Sequence, residues 1–176
     1  MAIFGFEGRN PKISEKAYVS ENAQVIGDVT IGDYCFVGAG AVIRGDYGSI
    51  RIGDRTAVEE GCIIHAMPGN NCHIESDILL GHGSLIHGER IKSHARLGMG
   101  AIVCIGSIME EWAVLGDGAV LPMNQVVPAG RVFVGNPAKD LRILTEREKE
   151  LSPKFVQQYA ELCQKYKASL RLLSLA

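Results

Sequence analysis

ISEKAYVSENAQVIGDVTIGDYCFVGAGAVI, residues 13–43, decides the architecture. Within it Ile13, Val19, Val25, Ile31, Val37 and Ile43 recur at a step of six, with Gly27, Asp28, Gly32, Asp33, Gly38 and Ala39 among the residues between them. A helix repeats at 3.6 residues and a strand at 2, so neither spaces apolar residues this widely with glycines just behind them. A coil of three short parallel strands per turn does. Each frame residue then points into a narrow prism, and the corners between faces take Gly, Asn or Asp for their backbone angles.

Working outward, the same step resumes as Ile52, Val58, Ile64; as Ile74, Leu80, Ile86; as Ile91, Leu97, Val103; and as Ile108, Val114, Val120, Val126, Val132. That predicts about seven turns stacked at about 4.8 Å, the spacing of paired strands. Extra residues between Ile43 and Ile52, and between Ile64 and Ile74, must bulge outward at corners. The steps Ile86 to Ile91 and Val103 to Ile108 are one residue short and predict tighter corners. The coil is expected over residues 1–140, ending at VGNPAK (134–139), where Asn136 and Pro137 break the strand pattern. Residues 141–176 are expected to form a helical segment packed on the coil within the same single domain. Thr145 with Glu148 reads as a capping box, and Ser152 before Pro153 as a second helix start. Phe155, Val156, Tyr159, Leu162, Cys163, Tyr166, Leu170 and Leu173 then form one apolar stripe at helical spacing.

A formal charge of −2, with no run of Lys or Arg, gives no footprint for nucleic acid or an anionic membrane. The N-terminus lacks an export pattern, no segment has the length of a membrane span, and the tail LRLLSLA is too short for an anchor, so a cytoplasmic location is expected. The five cysteines show no CxxC spacing and are expected to be reduced core residues. Cys72, beside His73 in a Gly/Asn-rich loop, is the one read as lying outside the core.

Histidines stand out against this frame. His65 follows the inward residue Ile64 and His87 follows Ile86, so the two occupy one slot in successive turns and should stack on one face. His82 sits one slot later in its hexapeptide and leaves near a different corner. One chain does not easily gather all three, whereas a neighbour packed face to face can supply His82 to a His65 and His87 pair. Three imidazoles with a fourth position open form the pattern of a catalytic zinc site, and Fe²⁺ or Co²⁺ also suits them. His73 and His94 read as surface or corner residues.

The hexapeptide coil, RGD at Arg44 to Asp46, the spacing of His65, His82 and His87, LGMGAIV at Leu97 to Val103 and VGNPAK together resemble the γ-class carbonic anhydrases and their relatives. Within them the likeness is to the shorter branch that includes phenylacetate-degradation and carnitine-operon proteins. It covers nearly the whole chain. The resemblance implies a left-handed parallel β-helix, all-β apart from a C-terminal α-helix. It also implies a homotrimer with zinc at each subunit interface, held by His65 and His87 of one chain and His82 of the next. Arg44 and Asp46 are similar to a structural salt bridge at the subunit contact. Glu59 and Glu60 stand where the family usually has a Gln-Asp pair, one member of which hydrogen-bonds the zinc-bound solvent; an ionisable acceptor therefore replaces an amide. Tyr159 matches a helix tyrosine placed near the metal. The implied activity is hydration of carbon dioxide to bicarbonate by metal-bound hydroxide, with a small-molecule substrate and no nucleic acid or membrane partner. Three alternatives share the coil: a metal-dependent acyl-CoA thioesterase, a hexapeptide acyltransferase using one His as general base, and a non-catalytic trimeric zinc-binding module in which Cys72 supplies a fourth ligand.

Overall fold

The computed structural model describes residues 2–173; residues 174–176, the end of the expected C-terminal segment, lie outside the described residues. The chain winds as a parallel β-solenoid with three faces. The first face stacks Tyr18–Val19, Phe36–Val37, Ala57–Val58, Leu79–Leu80, Arg96–Leu97, Val114–Leu115 and Arg131–Val134 in parallel register. The second face stacks the first halves of Gln24–Ile31 and Val42–Ile52 with Ile63–His65, Leu85–Ile86, Ile102–Val103 and Val120–Leu121. The third face takes Lys12–Ile13, the second halves of the two long strands, Asn71–Ile74, Arg90–Ile91, Ile108–Met109 and Val126–Val127. Gln24–Ile31 and Val42–Ile52 turn a corner without breaking, and at that bend Gly27 has φ +75°. A Cβ at Gly27 would lie 2.4 Å from the Gly45 carbonyl oxygen, so only glycine fits. The extra residues around Tyr47 stand opposite Asp28 alone, and Tyr47 projects outward, 61% exposed.

The inward residue of each strand fills the prism. Val25, Ile43, Ile64, Ile86, Ile91, Leu97 and Val103 are buried as the six-residue step requires. The last turns depart from that reading. Met109, Leu115, Leu121 and Val127 point inward, with Phe133 packed against the same core, whereas Ile108 is half-buried and Val126 is 44% exposed. The step from Val103 to Met109 is therefore a full six and the expected tight corner is absent; only Ile86 to Ile91 is short. Both residues of each late strand are apolar, so the pattern alone leaves the inward member undetermined. Val114 and Val132 are buried from outside instead, under Leu144 and Trp112.

Three further expectations are corrected. The boundary at residue 140 falls inside Lys139–Ile143, which pairs antiparallel with Arg131–Val134 and extends the first face. The start at Ser152–Pro153 is no start: one helix, Glu146–Ser169, runs through Pro153. Its N-terminus is set by Thr145, which accepts from the Glu148 N–H while Glu148 reaches back to the Thr145 N–H, so the missing N–H of Pro153 costs one hydrogen bond inside a helix fixed elsewhere. The apolar stripe is narrower than expected. Val156, Ala160 and Cys163 are buried, but Phe155, Leu170 and Leu173 are 45%, 56% and 80% exposed. No helix among the described residues is long and apolar enough to cross a membrane.

The helix docks on the outer side of the first face. Phe36 is its anchor, 1% exposed, with ring centroids 5.3 Å from Tyr18, 5.4 Å from Tyr159 and 5.5 Å from Tyr166. The far end is tied by Cys163 Sγ and Gln164 Nε2, both donating to the Lys16 carbonyl. Phe36→Ala is expected to lower the unfolding free energy by about 3–5 kcal/mol, because a large buried ring is deleted at the dock. Phe155→Ala, at an exposed position of the same helix, is expected to change it by no more than about 0.5 kcal/mol. Denaturant titration of both variants checks the contrast, and equal effects would refute this docking mode.

Candidate functional site

Parallel stacking places successive turns in register, so side chains in one slot form columns along the corners. At the corner between the second and third faces the column runs Arg44, His65, His87, since Arg44 pairs with His65 and Ile64 with Ile86. The two imidazoles meet edge to face with centroids 5.1 Å apart. His65 is buried, and both of its nitrogens have partners: Arg44 Nη2 lies 3.3 Å from Nδ1, and Asp46 Oδ1 lies 3.1 Å from Nε2. Arg44 Nη1 also donates to Asp46 Oδ2 at 2.6 Å, closing a triad. Burial pushes the Asp46 carboxyl up, but the hydrogen bonds from Arg44 and His65 outweigh it and leave the group below its ordinary value. Burial, then the neighbouring His65 and Arg44, pushes His87 below the usual imidazole value. That keeps His87 neutral, the form that binds metal ions.

His82 sits at the opposite edge of the second face, in the turn between Leu79–Leu80 and Leu85–Ile86. Its side chain is 48% exposed, with Nε2 3.1 Å from Glu59 Oε2 and Nδ1 2.8 Å from Glu60 Oε2. Glu59 is 5% exposed and also accepts the His82 backbone N–H at 2.9 Å. The helix brings Tyr159 to this corner. Burial, and then the neighbouring Glu59 carboxylate, raises its phenol well above the ordinary value. The structure thus gathers Arg44, Asp46, His65 and His87 at one edge and Glu59, Glu60, His82 and Tyr159 at the other. Among the described residues, no three His, Cys, Asp or Glu side chains of one chain converge as a metal site.

The donor chemistry at the two edges fits a shared divalent cation. One edge presents an edge-to-face imidazole pair with an acidic acceptor turned toward it, and the other a single accessible imidazole backed by carboxylates. A cation at His65 Nε2 would take the place of the Asp46 contact.

Cys72 does not belong to this set. It alternates with Ile74 along Asn71–Ile74, points into the prism, and is 2% exposed, so it is no fourth ligand. Two residues escaped the sequence reading. Cys104 continues the histidine column, because Ile86 pairs with Val103 and His87 with the residue after it; the repeat slot was the available signal. Arg96 lines a groove beside His82, and no motif marks it. Burial pushes the Cys72 thiol up to about 12. Iodoacetamide at pH 8 is therefore expected to leave Cys72 unmodified in the folded protein and to modify it after unfolding, read by peptide mass mapping. Native-state modification would contradict its inward position.

A family model described as bacterial transferase hexapeptide (six repeats) matches residues 10–45. The chain is 31% identical over 164 residues to gamma carbonic anhydrase 1, mitochondrial, of Arabidopsis thaliana, covering 90% of this chain and 60% of that one. It thus spans about three fifths of that relative's length. It is 31% identical over 166 residues to a carbonic anhydrase of Geobacillus kaustophilus, covering 94% of this chain and 91% of the relative. Among solved structures, a hexapeptide transferase family protein from Anaplasma phagocytophilum superposes with a TM-score of 0.89 at 31% identity, over 94% of this chain and 98% of that one.

Proposed function

Since this chain belongs to the γ-class carbonic anhydrase-like hexapeptide-repeat family, we propose that it is a metal-dependent enzyme hydrating carbon dioxide, active as a homotrimer with zinc at each subunit interface. His65 and His87 of one copy and His82 of the next would hold the ion. One observation carries this reading: the second face has histidines at both edges and an uncovered apolar ladder between them. Val42, Ile63, Leu85, Ile102 and Val120 point outward there, with Ile63 41% exposed. On the first face the helix covers the strands at Tyr18, Phe36 and Ala57, and the third presents Lys12, Arg51, His73 and Arg90 to solvent. A cyclic arrangement that sets one edge of this face against the other edge of a second copy buries the apolar ladder and brings the two half-sites together.

A cation so held supplies Lewis acidity that yields hydroxide from water near neutral pH. The chain's own residues do the rest. Arg44 and Asp46 hold the His65 ring in place from its two nitrogens before an ion displaces the Asp46 contact. Glu59, held by the His82 N–H and lying beside Tyr159, provides a carboxylate acceptor at the His82 edge; where an amide would only orient a substrate water, a carboxylate also accepts its proton. Glu60 steadies His82 from the exposed side. A second reading, hydrolysis of an acyl thioester at the same site, is supported by the groove of about 430 Å³ beside His82, which is large for carbon dioxide alone.

Light scattering with metal analysis is expected to give a trimer with about one divalent ion per chain. His82→Ala and His65→Ala proteins should each lose metal and carbon dioxide hydration in stopped flow. Unfolding and refolding the two variants together should recover part of both. A monomer with stoichiometric metal, or no recovery in verified mixed trimers, would overturn the shared site. Glu59→Gln is expected to retain metal and change turnover; unchanged kinetics would remove Glu59 from the chemistry.

A further inference from the structure

On the first face the outward residues form a ladder: Tyr18, Phe36, Ala57, Leu79, Arg96, Val114 and Val132. Arg96 is the one charged member. Its cross-strand neighbours, Leu79 and Val114, offer neither a carboxylate nor a hydrogen-bond acceptor in their side chains, and among the described residues its guanidinium forms no ion pair or side-chain hydrogen bond. Yet it is half-buried, lining the groove of about 430 Å³ that opens beside His82. The groove's two acidic residues each accept a backbone N–H, and neither pairs with Arg96. Asp117 Oδ1 accepts the Met99 N–H at 2.8 Å, and Glu59 holds the backbone and ring of His82. Glu59 leaves the coil two strands from Arg96, a backbone separation of about 10 Å at the strand spacing, and does not pair with it. The remaining walls, Leu79, Met99 and Val114, are apolar.

We propose that this groove is a subsite for a small organic carboxylate with an apolar body, its carboxylate paired to Arg96 and its body lying on Leu79, Met99 and Val114 toward the His82 corner. A planar guanidinium with its donors free matches a carboxylate in a two-point pair. The volume matches a ligand of many atoms better than bicarbonate. This inference rests on the second reading above, hydrolysis of an acyl thioester at the His82 corner, and names the substrate class that would reach it, an acyl compound carrying a second, anionic end.

Calorimetric titration of the metal-loaded full-length protein with benzoate, benzyl alcohol and inorganic phosphate tests it. Benzoate is expected to saturate the wild type. Arg96→Leu should weaken benzoate by at least about tenfold, as loss of a charged hydrogen-bond partner does. Arg96→Lys should recover part of that loss, because a point charge remains without the fork. Benzyl alcohol, which lacks the charge, should bind all three proteins alike. Absence of benzoate saturation, equal affinity in Arg96→Leu, or tighter binding of phosphate than of benzoate would each overturn the proposal. Metal content and oligomer size of the same samples separate the two levels: normal values with Arg96-independent benzoate binding remove this inference alone, whereas a metal-free monomer removes the reading beneath it.

Discussion

Inward aliphatic side chains stacking turn upon turn are the interaction on which the rest of the structure depends. Ile43, Ile64, Ile86, Val103 and Leu121 sit on one another at the strand spacing, each nearly inaccessible. A one-residue slip would reverse every side chain of a strand, so the prism fixes register. Fixed register in turn makes columns of whatever residue follows each inward position. The Arg44, His65, His87 column is therefore a consequence of core packing. No separate interaction is required to bring two imidazoles together, and their 5.1 Å centroid distance is about the strand spacing itself.

Because the core is common to all three faces, the outward residues alone distinguish them. Aromatic residues at Tyr18 and Phe36 recruit the helix. Basic residues hold the third face in water, where Arg90 pairs with Glu75 and Arg51 with Asp28. The apolar second face has neither cover, and histidines stand at both of its edges. On the reading proposed above, the surface that would seek a partner and the site that would need one lie on the same strands.

The sequence made the coil legible wherever an inward aliphatic alternates with a polar or small outward neighbour, as at Tyr18-Val19, Arg96-Leu97 and Arg44 after Ile43. It misled in the last turns, at Ile108-Met109, Val114-Leu115, Val120-Leu121 and Val126-Val127, where both members are apolar and a five-residue step from Val103 to Ile108 sets the count one residue early. There the outward residue is apolar for reasons of its own: Val114 lies under Leu144, and Val120 belongs to the uncovered second face. Periodicity reports burial and does not say from which side. Cys72 was misread for a related reason. Its neighbours Asn70, Asn71 and His73 are polar, but the strand alternation that puts Ile74 inward puts Cys72 inward too. The histidine columns were legible because they need only the frame. Arg96 was not, since its meaning lies in the apolar side chains of other turns, which only the register brings beside it.

The Glu59 corner shows how far a site can depend on a segment remote in sequence. Glu59 is nearly buried, and a carboxylate there is tolerated because polar groups stand against it: the His82 N–H, which donates to it, and the Tyr159 phenol beside it. The first is supplied by the next turn of the coil, and the second by a helix entered long after the coil is complete. That helix is placed by its two ends, by the Thr145 and Glu148 capping box with Arg142 gripping Glu148, and by Cys163 and Gln164 on the Lys16 carbonyl. Loosening either end would move Tyr159 from Glu59 and leave the carboxylate with one fewer polar neighbour in a dry setting. An amide at residue 59 would feel that loss less, because it carries no charge to solvate. With glutamate in place of the amide, the docked helix supports the electrostatics of the corner as well as the fold.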